Sequence, residues 1–397
     1  MRRSQRIIGW AAAGEGALLA VTCGLPVLGA FFPELSWLGV LGATVVPVFP
    51  LWFVVLAFVS ALPSLFALRL GFVGIGSTFT AVSALSLAGT MVILGSLLQV
   101  ATASGANVDL LRSLTFTSLA DARPDATMVY MTRGNRPLEI DVYEPTRIPD
   151  GGTAPVMLYV HGGGWFQGDR ASGSTDLRWF ADRGYVVVSP DYSLATHSDQ
   201  VWDVAPGEIA CAMVWTANNA DSMHADMRRF VMAGDSAGGN LAINAAYAAN
   251  EDRAESSCGG TVPHVRLAIA GSPILDPVST WNNRTVQGDS ARSLLLNYVG
   301  GSPEQYPDRY RAISSFTYLS PTAPATLIIN GAGDHVVPHQ QSVDFVRDAR
   351  AAGVDATLLV IPFADHSFDL TFDSIGHQIK LSVFARFLRA REGAPTT

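Results

Sequence analysis

The sequence predicts an α/β protein, a mostly parallel sheet with helices on both faces, preceded by a segment of about three membrane-spanning helices. Three observations predict it. The first quarter of the 397-residue chain is almost free of charge: between Ile7 and Asn107 the only charged side chains are Glu15, Glu34 and Arg69. The remainder carries the mixed charge of a globular domain, with short β-branched runs alternating with helical segments. The whole chain is 49% hydrophobic, 15% charged and has a mean hydropathy of +0.26, values expected when part of it lies in lipid.

The apolar stretches run from about Trp10 to Phe32, Leu38 to Leu62, and Phe72 or Phe79 to Ala101. Each reaches the roughly 20 residues a helix needs to cross a hydrocarbon core. Pro33-Glu34-Leu35-Ser36 and Pro63 to Gly71 read as breaks, whereas Pro47 and Pro50 are expected as kinks inside the second span. Glu15 is expected near the interface, and Ala11-Ala12-Ala13-Gly14 beside it suits close helix packing. Arg2, Arg3 and Arg6 precede the first span and Arg69 lies between the second and third. The positive-inside rule then puts the N-terminus and Arg69 in the cytoplasm and the C-terminal domain outside. Cleavage of the first span as a signal peptide, an alternative reading, leaves that sidedness unchanged. The expected organisation is a transmembrane segment at 1–103, a linker at 104–126, a catalytic domain at 127–390 and a tail at 391–397.

In the C-terminal domain, Met128 to Met131 and Leu138 to Tyr143 flank Gly134-Asn135 as an antiparallel hairpin. Further strands are expected at Val156 to Val160, Tyr185 to Ser189, Phe230 to Ala233, Leu267 to Ala270, Thr326 to Asn330 and Thr357 to Ile361. Helices are expected at Ala205 to Asn219, Ala237 to Asn250 and Gln340 to Ala352. A net charge of −8 without a Lys/Arg cluster argues against nucleic acid as a partner. Cys23, Cys211 and Cys258 have no metal-site spacing, so neither metal nor cofactor is expected. Unpaired thiols are the simpler expectation for Cys211 and Cys258, with a bridge between them left open.

Gly234-Asp235-Ser236-Ala237-Gly238-Gly239 follows a strand and opens a helix, the required context of a G-x-S-x-G nucleophile elbow. Ser236 is therefore the candidate nucleophile. Upstream, His161-Gly162-Gly163-Gly164-Trp165 also leaves a strand. Its consecutive glycines free backbone N–H groups to meet a bound oxygen, and with the N–H of Ala237 they would form an oxyanion hole. A serine hydroxyl needs a base and an orienting carboxylate. His366, in the loop after the last strand, is the expected base, ahead of His335, His339 and His377. Asp334, in Gly331-Ala332-Gly333-Asp334-His335, is the expected acid, with Asp365 and Asp369 as fallbacks.

From Thr127 to about Leu388 the chain resembles the α/β-hydrolase superfamily, and within it bacterial carboxylesterases similar to hormone-sensitive lipase and to feruloyl esterases. The resemblance rests on the glycine run, Asp191-Tyr192, the Ser236 elbow, Asp334 and His366. It implies an eight-stranded sheet, oxyanion donors at Gly163 and Gly164, a structural role for His161 and a place for Trp165 at the substrate. Two departures stand out. Tyr192-Ser193-Leu194 replaces the family's Tyr-Arg-Leu, and the cap ahead of the sheet has no counterpart beyond a partial one in Leu275 to Ser320, with Trp281, Tyr298, Tyr306 and Tyr310. The expected activity is hydrolysis of small-molecule or lipid carboxylic esters at the outer face of the cell membrane. The alternatives are acyl transfer to envelope lipids or glycans by the same triad, or a hydrolase-like domain that only binds.

Overall fold

A computed structural model of the protein describes residues 3–115, 122–148 and 152–392. Two compact units emerge: Met1–Thr117 with Gly331–His335 and Ile361–Val383, and Ser118–Asn330 with Val336–Val360 and Phe384–Thr397. Most of the expected tail, residues 393–397, lies outside the described residues.

The first unit is built on α1 (Arg3–Phe31), α2 (Ser36–Val45), α3 (Pro50–Arg69), α4 (Val73–Ser104) and the short α5 (Arg112–Thr115). Among the described residues, α1, α3 and α4 are long and apolar enough to cross a membrane. The second stretch is not the single kinked helix expected from Leu38 to Leu62. It breaks between Val45 and Pro50, because each proline removes a backbone donor and its ring clashes one turn back. Pro50 instead opens α3 at the first position, where a missing N–H costs nothing. The ten-residue α2 then folds onto the end of α1. Glycine makes that approach feasible, since a Cβ on Gly42 would stand 2.1 Å from the Ala30 nitrogen. Glu15 lies on an exposed side of α1.

The other unit carries nearly all of the sheet. Its strands are β1 (Ala126–Arg133), β2 (Arg136–Tyr143), β3 (Ala154–Val160), β4 (Val186–Pro190), β5 (Ala225–Asp235), β6 (Leu267–Gly271), β7 (Ala325–Gly331) and β8 (Ala356–Ile361). Among the described residues these form one eight-stranded sheet in the order β1-β2-β4-β3-β5-β6-β7-β8. Pairing is antiparallel for β1 with β2 and β2 with β4, and parallel from β4 through β3, β5 and β6 to β7. Arg133 faces Arg136 across the two-residue turn, and Gly134 supplies the positive φ such a turn demands. The central strands read as continuous apolar runs because helices cover both faces; β4 and β6 are buried at every position.

Connecting and covering helices are α6 (Ser174–Ala181), α7 (Ala205–Asn218), α8 (Ser236–Asn250), α9 (Pro277–Trp281), α10 (Gly288–Val299), α11 (Pro307–Ile313), α12 (Gln340–Ala351) and α13 (Ile375–Glu392). The insert from Leu275 to Ser320 holds α9 to α11 and a short 3-10 turn. Tyr298 and Tyr310 are buried, Tyr306 is exposed, Trp281 meets Tyr310 edge-on at 6.2 Å, and the Tyr310 hydroxyl donates to the Gly301 carbonyl. After Tyr192, where the resemblance implies an arginine, Ser193 is held by a buried acceptor on α7. Glu208 takes hydrogen bonds of 2.7 Å from both the backbone N–H and the hydroxyl of Ser193.

Cys211 on α7 and Cys258, beyond α8, form a disulfide, against the simpler expectation of unpaired thiols. The bridge closes a 47-residue separation, for which chain entropy gives about 4 kcal/mol of stabilisation. Replacing both cysteines by serine should therefore lower the urea midpoint, with a loss of roughly 2–4 kcal/mol on extrapolation. An unchanged midpoint would show that the bridge does not constrain the unfolded chain.

Candidate active site

Ser236 sits where β5 ends and α8 begins, with φ at +54°, a left-handed conformation that L-residues adopt only when the surroundings enforce it. Flanking glycines explain how the chain turns so sharply. A Cβ on Gly234 would lie 2.5 Å from the Gly238 carbonyl oxygen, and one on Gly238 would lie 2.2 Å from the oxygens of both Val160 and His161. No side chain fits at either position, so the G-x-S-x-G spacing follows from packing of the elbow against the end of β3. Ala237, in the first turn of α8, is buried. On the preceding residue, the Asp235 carboxylate accepts from the Tyr159 hydroxyl at 2.8 Å.

The glycine run lies against this elbow. A Cβ on Gly162 would come within 2.9 Å of the Asp235 carbonyl oxygen and 3.4 Å of Ser236 Cβ. Gly163 and Gly164 have φ of +109° and +61°, so both need the freedom of glycine. His161 holds the loop from inside. Its Nδ1–H donates to the Gly162 carbonyl at 2.7 Å, its ring stacks on Tyr192, and the Tyr192 hydroxyl donates to the His161 carbonyl. Burial lowers the His161 pKa below the ordinary histidine value, which keeps the ring neutral. This is the structural role the resemblance implied. Trp165, expected at the substrate, is fully buried and stacks on Tyr298 with ring centres 4.3 Å apart.

Asp334 and His366 belong to the other compact unit. Asp334 follows β7 and His366 follows β8, and the Nδ1–H of His366 donates to Asp334 Oδ2 at 2.8 Å. The close approach of these two turns again depends on glycine, since a Cβ on Gly331 would stand 2.3 Å from the Ala364 carbonyl oxygen. Burial works against the charged imidazole of His366. The Asp334 carboxylate and its hydrogen bond, helped by the charges of Asp365 and Asp369, outweigh burial and raise the pKa above the ordinary value.

The fallback acid Asp365 has a different partner. Its Oδ2 accepts from His335 Nδ1 at 2.7 Å, and its Oδ1 accepts the backbone N–H groups of His335 and His366. Two Asp-His dipeptides, Asp334-His335 and Asp365-His366, thus pair crosswise. The repetition of Asp-His after successive strands is the sign of this second pair that the sequence carries. Asp369 is bonded to Lys380 instead, and His377 Nδ1 accepts from the Asp373 N–H.

Comparison with known proteins agrees with this architecture. Esterase LipC of Mycobacterium tuberculosis is 29% identical over 225 residues, covering 55% of this chain and 54% of that protein. Esterase LipQ of the same organism is 27% identical over 243 residues, covering 60% and 56%. The chain thus spans about half the length of these curated relatives. Among solved structures, the propionate-bound esterase Est2 of Thermogutta terrifontis superposes with a TM-score of 0.56 at 22% identity, covering 70% of this chain and 97% of that one, a likeness of fold. The BD-FAE family model matches residues 140–348, a stretch that includes the glycine run, the Ser236 elbow and Asp334. With over half of its length matched, the chain belongs to the BD-FAE family, on an α/β-hydrolase fold.

Proposed function

We propose that the protein is a membrane-anchored serine esterase that hydrolyses carboxylic esters through an acyl-enzyme on Ser236. The observation that carries this reading is the strained serine at +54° beside a loop of consecutive glycines, in a chain whose relatives include esterases. His366 Nδ1 is committed to Asp334, so Nε2 is the nitrogen that takes the Ser236 proton as the hydroxyl attacks the ester carbonyl. Charge developing on the carbonyl oxygen meets the N–H groups of Gly163, Gly164 and Ala237, and each such donor is worth roughly a hundred- to a thousand-fold in rate. The proton on His366 then passes to the leaving alkoxide. Water, deprotonated by the same imidazole, releases the acid and restores the serine.

In this reading residues 1–103 anchor the catalytic domain of 127–390. Arg3, Arg6 and Arg69 face the cytoplasm, and the catalytic domain lies on the extracytoplasmic side. The Cys211–Cys258 disulfide supports that placement, because such bridges persist in oxidising compartments.

Labelling tests the proposal directly. A fluorophosphonate probe added to membranes containing the full chain should form one adduct, on the peptide bearing Ser236, in parallel with loss of p-nitrophenyl butyrate hydrolysis. Hydrolysis that persists after complete labelling, or an adduct on another residue, would overturn the assignment.

A further inference from the structure

The acid and base turns are bonded to the N-terminal helices as well as to each other. Every contact involved lies within one compact unit, the one that unites Met1–Thr117 with Gly331–His335 and Ile361–Val383. His335 is the centre of these contacts. Its Nδ1 faces the Asp365 carboxylate and its Nε2 lies 2.8 Å from the Pro33 carbonyl oxygen, in the turn between α1 and α2. A carbonyl can only accept, and an ionised carboxylate can only accept, so both ring nitrogens carry protons and His335 is an imidazolium.

The surroundings agree with that charge state. Burial opposes it, but the hydrogen bonds to Asp365 and Pro33 and the nearby carboxylates raise the His335 pKa, while the same pairing lowers that of Asp365 against its burial. Both side chains are about 4% exposed or less.

Asp365 receives three further ties. Its backbone N–H donates to the Ala43 carbonyl at 3.1 Å, and its Oδ2 accepts from the Thr44 hydroxyl at 3.3 Å, both at the end of α2. Its Oδ1 holds the backbone N–H of His366 at 2.7 Å. Beside it, Ala43 Cβ would be 3.3 Å from a Cβ on Gly333, the residue before Asp334, and Phe31 meets Phe363 edge-on at 5.1 Å. Both turns that carry the acid–base pair therefore rest on the α1–α2 hairpin, through side chains that take no part in the proposed proton transfers.

We infer that the α1–α2 hairpin is a positioning element for the Asp334–His366 pair, acting through the buried His335–Asp365 ion pair, so that full catalytic rate requires the N-terminal segment as well as the hydrolase fold. This inference rests on the reading that Asp334 and His366 serve Ser236. It makes His335, Asp365, Thr44 and Ala43 positioning residues. A shift of the His366 ring by about 1 Å is enough to cost a hundred-fold in rate without altering how the substrate binds.

The test uses the full chain in detergent, with kcat expressed per site titrated by fluorophosphonate so that misfolded protein does not count. His335→Gln removes the positive charge and the two opposed ring N–H donors that bridge Asp365 and Pro33, Ala43→Leu wedges α2 away from Gly333, and Thr44→Val deletes one hydroxyl at constant shape. His335→Gln and Ala43→Leu should lower kcat for p-nitrophenyl butyrate about 10- to 100-fold with KM changed less than about two-fold. Thr44→Val should show a smaller loss that Thr44→Ser restores. Trp37→Ala, on the exposed side of the same hairpin, should leave both constants at wild-type values. Wild-type kcat per site in His335→Gln and Ala43→Leu would overturn the inference while leaving the serine mechanism intact. Activity surviving in Ser236→Ala would instead overturn the reading beneath it.

Discussion

Replacing Ser236 with alanine is expected to lower kcat for a short-chain p-nitrophenyl ester by on the order of 10⁴- to 10⁶-fold, with the protein still folded. The size of the effect follows from the loss of the acyl-enzyme. Without the hydroxyl, only the glycine-loop donors and substrate binding remain to assist attack by water. Folding should survive, because alanine meets the same steric demand at φ +54° that serine already meets, and the packing that forces the turn resides in Gly234 and Gly238. Circular dichroism and thermal unfolding of the variant alongside wild type separate the two effects. Retention of more than about a hundredth of the wild-type kcat would rule out Ser236 as the nucleophile.

Asp334→Asn is expected to produce the second largest loss, about 10⁴-fold in kcat, because the amide no longer fixes the tautomer that leaves His366 Nε2 free to accept a proton. The pH dependence should move with it in a definite direction. The base works only as neutral imidazole, so kcat/KM falls on the acid side as His366 gains a proton. In the wild type, Asp334 raises that pKa, which places the midpoint of the acid limb above that of an ordinary histidine. Removing the carboxylate leaves burial to dominate, and the midpoint should shift to lower pH. A midpoint that stays put in the residual activity of the variant would mean that the limb reports another group.

Much of this architecture could be read from the chain because single residues carried strong steric information. Each predicted strand has its counterpart in the sheet, since short β-branched runs bounded by turn residues have few other ways to bury both faces. The nucleophile elbow and the glycine run were legible for a related reason: Gly234, Gly238 and Gly163 occupy positions where a Cβ would strike backbone atoms, so the motif records the geometry itself. What escaped the reading depended on contacts between distant segments. Pro47 and Pro50 were expected as kinks within one span, yet the helix breaks there and α2 packs onto α1. Pairing of Cys211 with Cys258 requires α7 and the segment after α8 to be neighbours, which spacing alone does not reveal. The 275–320 insert reads as a partial cap rich in aromatic residues, and the burial of Tyr298 and Tyr310 in its packing depends on contacts that the sequence does not show. The contact of His335 with Pro33, more than three hundred residues away in sequence, has no sign in the local Asp-His pattern.

The covalent link from Cys211 to Cys258 has a further consequence, because the stretch it encloses contains β5, Ser236 and α8 in full. A protease that nicked the exposed residues around Glu255 would leave the two fragments fastened together, with Ser236 still held between its own strand and helix. Separating the two pieces would then take a reductant as well as unfolding, because the bridge ties them on either side of the cut.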